Sequence, residues 1–415
     1  MEPAPVTCDH KCYLQVGEQG GDSNPRRRKP SHMTASKYVV VGAGLAGAAT
    51  AWHLASRGHE VTILERLTPA NHAGSSHGSA RIFRYAYPEN FYTRLVLESK
   101  AGWDEISRLS GKELITTTGA VDYGSTRHPE RLAAVLAANS IEHELLTAEQ
   151  ARQRWSQIAF DTNVLWHPGA GVIDAETTVT VLVDLAVAQG AQLQTDWHVS
   201  SIRSSGSGYV LRSADGRETQ AENIIISAGG WLPDLLNDLS LPEAFLDQIP
   251  SIEVSQEQAY HFPYRDPSEE ARKTWPTFIH KREGIQTYGL PGGRDADWRG
   301  QKVAEYNGGK LLPSASAQDG LIDPPNRQRV MDYVEQYLPG LVPEPYAETT
   351  CLFTNTPTED FIIDRAENIT IVSPCSGHGA KFAPLIGQFA ADLATGTGTV
   401  PKEFRVGTSA HSTAL

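Results

Sequence analysis

The feature that most limits what this chain can fold into is G-A-G-L-A-G, residues 42–47. Ahead of it runs Lys37–Val41 (K-Y-V-V-V), apolar and β-branched as a buried parallel strand requires. Behind it come a helical stretch closed by Gly58 and then H-E-V-T-I-L-E, a second strand ending at Glu65. Gly42 permits a tight turn, Gly44 lets a pyrophosphate approach the backbone, and Gly47 allows close helix–strand contact. Leu45 and Ala46 open the helix, where free N–H groups and the dipole favour an anion. Glu65, about 20 residues beyond the glycines and followed by Arg66, is placed to accept hydrogen bonds from adenosine ribose hydroxyls. A lone G-x-G-x-x-G is weak evidence, but strand, turn, helix, strand and terminal acid in order predict a dinucleotide site. The acid repels a 2′-phosphate and so disfavours NADP. FAD and NAD both remain open at this point.

A chain of 415 residues exceeds one ordinary core and predicts two domains, interleaved along the sequence. Its net charge of -13 argues against a nucleic-acid partner. Four cysteines do not make a disulfide framework, and no metal centre is expected. Cys8 and Cys12 flank His10 in a polar, basic stretch, residues 1–35, read here as a flexible tail or leader upstream of a start at Met33. Tyr38–Trp52 is too short for a membrane span and is broken by glycines, so a cytoplasmic protein is expected.

Four further segments narrow the choice. The first is G-S-S-H-G-S-A-R-I-F-R-Y-A-Y, residues 74–87, which sets His77 beside Arg81 and Arg84. The second is A-E-N-I-I-I-S-A-G-G-W, residues 221–231, an apolar strand ending in Ala228, Gly229 and Trp231. The third is T-T-C-L-F-T-N-T-P-T-E-D-F-I-I-D, residues 349–364, around Cys351. The fourth, residues 369–396, runs from a strand through a glycine-rich loop (Gly377, His378, Gly379, Lys381) into a helix closed by Gly396, with Leu385, Phe389 and Leu393 read as core. Together they resemble the monomeric sarcosine oxidase and N-methyltryptophan oxidase family of FAD-dependent amine oxidases, over about residues 36–408.

The resemblance implies a set of roles. FAD would be attached covalently at Cys351, whose thiolate attacks the 8α-methyl carbon of the flavin, helped by nearby positive charge. His77, Arg81 and the 377–379 loop would lie beside the flavin ring, and Asp196–Val199 would form a strand along the adenine. Arg84 and Lys381 would hold the substrate carboxylate, and Lys381 would also border the cofactor. Residues 288–306 align with the segment carrying the family's oxygen-activating lysine, which puts Lys302 in that role and Tyr288 near the substrate. Two departures fall on the substrate side: Tyr306 replaces a histidine four residues after that lysine, and Phe353 replaces a tyrosine two residues after the cysteine. They put sarcosine itself in doubt.

The expected architecture is α/β: a Rossmann-like FAD-binding domain (36–118, 165–232 and 351–408) with an interleaved α+β substrate domain (119–164 and 233–350) containing an antiparallel sheet. Residues 409–415 are read as a tail. The expected reaction is oxidation of a secondary amine bearing a carboxylate, an N-methyl amino acid, to an imine that hydrolyses, with O2 reduced to H2O2 by a monomeric enzyme. Rival readings are an oxidase of primary or cyclic amino acids of the glycine, pipecolate or proline type, a flavin dehydrogenase with another acceptor, and a flavin-bound scaffold.

Overall fold

Val39, Val40 and Val41 are all buried, as a strand covered on both faces demands. They lie in Ala35–Val41, which pairs in parallel with Val61–Leu64 on one side and Glu218–Ile226 on the other. The computed structural model describes residues 35–236 and 238–407; the readings of the tail with Cys8, His10 and Cys12, and of residues 409–415, lie outside them. Gln192–Gln194 and Ile369–Ser373 extend the parallel sheet at either side. Val199–Ser205, Gly208–Ser213 and Ile362–Ala366 add antiparallel strands, making eight in all.

Alternation along the strands sorts this sheet's two faces. Val40, Ile63 and Ile225 pack under the helices Leu45–Ser56, Ala175–Ala188 and Ala383–Thr395. Val39, Val41, Ile224 and Ile226 face Trp197, Ile202 and Leu211 on the opposite side. The last helix ends on Gly396 in the left-handed conformation, with Leu385 and Leu393 buried and Phe389 packed against the core as expected.

A second sheet of nine strands runs Lys310–Leu312, Glu253–Pro263, Gly300–Glu305, Ile285–Pro291, Thr277–Arg282, Ala120–Tyr123, Val164–His167, Glu144–Leu146, with Ala347–Asn355 also on Glu253–Pro263. It is antiparallel except where Thr277–Arg282 meets Ala120–Tyr123. One face buries Tyr260, Phe262, Phe278 and Val303 under the helix Pro324–Tyr337. Three short strands, Arg81–Phe83, Gly171–Ile173 and Ile115–Thr117, form a third sheet.

The chain alternates between the two large sheets, so the architecture is the expected α/β one with an interleaved second part. The crossing points are shifted. Residues 165–167 and 351–355, grouped above with the nucleotide segments, are strands of the nine-stranded sheet. Asp196–Val199 is a correction of a different kind: the strand starts only at Val199. Asp196 takes a left-handed φ of 53°, and the Trp197 N–H donates to the Glu65 carbonyl at 2.8 Å. Among the described residues no helix is long and apolar enough to cross a membrane.

Candidate active site

At the turn after the first strand, Gly42 has φ 98°, and a Cβ there would lie 2.4 Å from the Ser227 carbonyl oxygen. A Cβ on Gly47 would lie 2.0 Å from the Gly42 carbonyl oxygen. Both positions therefore exclude any side chain, and the helix is held directly against the turn. Replacing Gly47 by alanine should strip the purified protein of bound dinucleotide, measured as cofactor per mole after denaturation. Full occupancy would show that the turn absorbs the methyl.

The Glu65 carboxylate accepts from the Ala43 N–H at 2.7 Å and the Leu67 N–H at 3.0 Å, tying the turn to the end of the second strand. A carboxylate has about four lone-pair directions, so capacity is left for a ribose hydroxyl. Ser76, which the motif reading missed, accepts from the Leu45 N–H at 3.1 Å.

These residues border a long cleft. Gly42, Gly44, Leu45, Ala46, Gly47, Glu65, Arg66, Val199, Ala228, Gly229 and Trp231 line one stretch of it; Arg81, Cys351, Gly377 and Gly379 line the rest. Arg66 lies over the Trp231 ring at 5.0 Å. Ser227 Oγ and Trp231 Nε1 are buried on its wall without a hydrogen-bond partner among the described residues, which suits groups awaiting a polar ligand. The glycine cradle, the acid and these two atoms fit an adenine dinucleotide.

A second cavity, of about 110 Å³, shares Arg81, Cys351, Phe353, Gly377 and Ala380 with the cleft. Arg84, Tyr288, Lys302, Tyr306, His378 and Lys381 line it as well. Strand register explains the gathering. Ile279 pairs with Tyr288 and Tyr288 with Ala304; Lys281 pairs with Gln286 and Leu290 with Lys302. Residues two apart share a face, so the face away from Phe278 and Val303 turns these side chains into one space.

Arg81 donates to the carbonyls of Ser75, His77 and Ala80 at 2.8–3.1 Å, which fixes its guanidinium. Arg84 donates to the Ala86 carbonyl and lies 4.4 Å over the Tyr87 ring. Lys381 donates to the His378 carbonyl at 2.6 Å; burial, then Arg84, pushes its amine well below the usual lysine range. Lys302 donates to the Ala80 carbonyl at 3.3 Å, and burial followed by Arg81 brings it down to about 8. The Tyr306 hydroxyl donates to Glu359 at 3.0 Å.

Several expectations need adjustment. His77 is buried but lines neither space; burial, then Arg81 and Lys302, pushes its imidazole down to about 3, so it is neutral. His378 and Lys381 face the second cavity and not the cleft. His378 is clamped between the Tyr87 hydroxyl and the Glu359 carbonyl, each at 3.0 Å. The Cys351 thiol is pushed up by burial, against the pull of Arg81 and Lys302, so desolvation outweighs the nearby charge. Lys281, Gln286 and Thr287 were missed altogether: they lie on a strand pair with no motif, and only alternation with Ile279 could have flagged Lys281.

Residues 37–393 match the family described as FAD dependent oxidoreductase. A monomeric sarcosine oxidase of Streptomyces avermitilis is 32% identical over 378 residues, covering 88% of this chain and 94% of the relative. An N-methyl-L-tryptophan oxidase of Escherichia coli O127:H6 is 30% identical over 372 residues, covering 86% and 94%. Among solved structures, the open form of NikD, an unusual amino acid oxidase essential for nikkomycin biosynthesis, aligns with a TM-score of 0.79 at 24% identity over 91% of this chain and 99% of that one. At that identity the likeness concerns the fold.

Proposed function

The chain belongs to the FAD-dependent oxidoreductase family, and on that premise we propose that it is an oxidase of secondary amines, specifically N-methyl amino acids. The observation that carries this is a small cavity bearing Arg84 and Lys381 that meets the dinucleotide cleft at Arg81 and Cys351. In this reading the eight-stranded sheet carries the FAD-binding domain and the nine-stranded sheet the substrate domain. Gly42, Gly44, Gly47 and Glu65 hold the adenosine and pyrophosphate, and Cys351 is the covalent attachment point.

A flavin held in the cleft would supply the acceptor for a hydride equivalent leaving the carbon next to the substrate nitrogen. The protein does the positioning. Arg84 offers a planar fork to the substrate carboxylate and Lys381 a point charge, while Tyr306 and Phe353 close the side that two family residues occupy elsewhere. Neutral His77 packs behind Arg81 without adding charge. The amine loses two electrons and two protons to become an imine, water splits the imine into amine and aldehyde, and O2 takes the electrons and protons to become H2O2. The same reading takes the protein as a cytoplasmic monomer, and its net charge of -13 weighs against a nucleic-acid partner.

The test is a panel of N-methyl, cyclic and primary amino acids assayed for peroxide and formaldehyde. Peroxide with formaldehyde from N-methyl compounds is expected; peroxide from cyclic or primary amino acids alone would replace this reading. A second measurement addresses the carboxylate. Charge-assisted hydrogen bonds contribute about 1.5–3 kcal/mol each, so Arg84→Lys and Lys381→Met should each weaken substrate binding by roughly tenfold or more. Arg84→Lys keeps the charge and loses the fork. If the wild type prefers the corresponding amine without a carboxylate, the clamp is wrong.

A further inference from the structure

The second cavity holds more basic side chains than one substrate carboxylate needs. Arg81, Arg84, Lys281, Lys302 and Lys381 line it, and no aspartate or glutamate does. Four of these five have protein acceptors, described above. Lys281 is buried, and its Nζ has no hydrogen-bond partner among the described residues. What faces it is the Tyr306 ring, 5.4 Å from the nitrogen, with the Arg84 and Arg127 guanidiniums beyond.

The carboxylates nearest Lys281 are already engaged and lie outside the cavity lining. Asp122 is held by Arg127 at 2.6 Å and His167 at 3.2 Å, and Glu359 accepts the Tyr306 hydroxyl. A buried ammonium short of counter-charge is unfavourable, and Lys281 shows the expected response: burial, then Arg127 and Arg84, outweigh the opposing pull of Glu359 and Asp122 and bring it down to about 7. An anionic ligand would reverse that shift.

Position decides which part of a ligand would meet it. Lys281 pairs across the strands with Gln286, which both lines the cavity and is exposed, so this end opens outward. Arg81 and Cys351 line both the cavity and the cleft, and both act on Lys302. We propose that Lys281 recognises a second acidic group on the substrate, so that the preferred substrate is an N-methyl amino dicarboxylate of the aspartate or glutamate type. This rests on the reading of the site as an N-methyl amino acid oxidase.

The experiment uses flavin-loaded enzyme, reduced anaerobically with N-methyl-L-aspartate, N-methyl-L-glutamate or neutral N-methyl-L-alanine. The wild type should favour one of the acidic substrates by tenfold or more in reduction rate over Kd. Lys281→Met should collapse that ratio towards one, and Lys281→Arg should restore part of it. Binding of unreactive succinate, followed by the flavin absorbance, should weaken tenfold or more in Lys281→Met, with propionate much less affected. If N-methylalanine reduces the flavin and is preferred over both acidic substrates, the inference fails while the oxidase reading stands. If Lys281→Met slows all substrates and keeps the ratio, the lysine is structural and the inference fails. If none of the N-methyl amino acids reduces the flavin, the oxidase reading itself falls and takes the inference with it.

Discussion

Replacing Lys302 by methionine should slow reoxidation of the reduced enzyme by air by orders of magnitude while leaving reduction by substrate nearly as fast. Oxygen gains negative charge when it accepts the first electron, and a fixed cation in a water-poor site stabilises that charge far better than solvent does. Lys302 is 6% exposed, lines the second cavity and is acted on by Arg81 and Cys351, which line the cleft as well. Methionine keeps the length and removes the charge. Stopped-flow measurement of the two half-reactions separates the outcomes, and equal slowing of both would show that Lys302 serves substrate binding or folding. A pH profile gives a second check. With its amine at about 8, held down by burial and Arg81 and up by Cys351 and Asp295, the cation is present below that pH and lost above it. Reoxidation should therefore fall as pH rises through about 8. A rate that climbs over the same range would contradict the role.

Changing Cys351 to alanine should abolish covalent attachment of the flavin: denatured wild type is expected to stay yellow and gain the mass of one FAD, and the variant to do neither. The geometry makes the control informative. Cys351 and Cys375 both line the cleft, and both thiols are pushed up by burial. Arg81 and Lys302 pull Cys351 down, whereas at Cys375 backbone hydrogen bonds at Gly377 and Thr354 pull down more than Arg81 does. Cys375→Ala should retain the adduct. If it loses the adduct and Cys351→Ala keeps it, the attachment point is misassigned. Because burial outweighs the cations at Cys351, attachment to apoprotein supplied with FAD should also accelerate as pH rises and the thiolate becomes accessible.

The nucleotide half of the site was legible along the chain because its parts are local. Gly42 to Glu65 is one strand–turn–helix–strand unit, and backbone conformation, helix start and terminal acid all act within it. The core was legible for a similar reason: alternation in V-V-V and I-I-I and the four-residue spacing of Leu385, Phe389 and Leu393 follow from strand and helix periods. The placement of Arg84, Tyr288, Lys302, Tyr306 and Lys381 around one cavity was anticipated only through resemblance, since their own spacing implies nothing about contact.

What the sequence alone determined, then, is the dinucleotide turn and the class of fold, because each depends on neighbours within one or two elements. What the tertiary structure decided is which side chains share a space and in what ionisation state. His77 lines neither the cleft nor the cavity, His378 lines the cavity, the Cys351 thiol rose instead of falling, and Lys281 entered the cavity unannounced. Those outcomes depend on strand register across the nine-stranded sheet and on how much water each group loses, and both are set by residues far apart in the chain, as where Glu257 pairs with Cys351 and His261 with Lys302 beside Ala80.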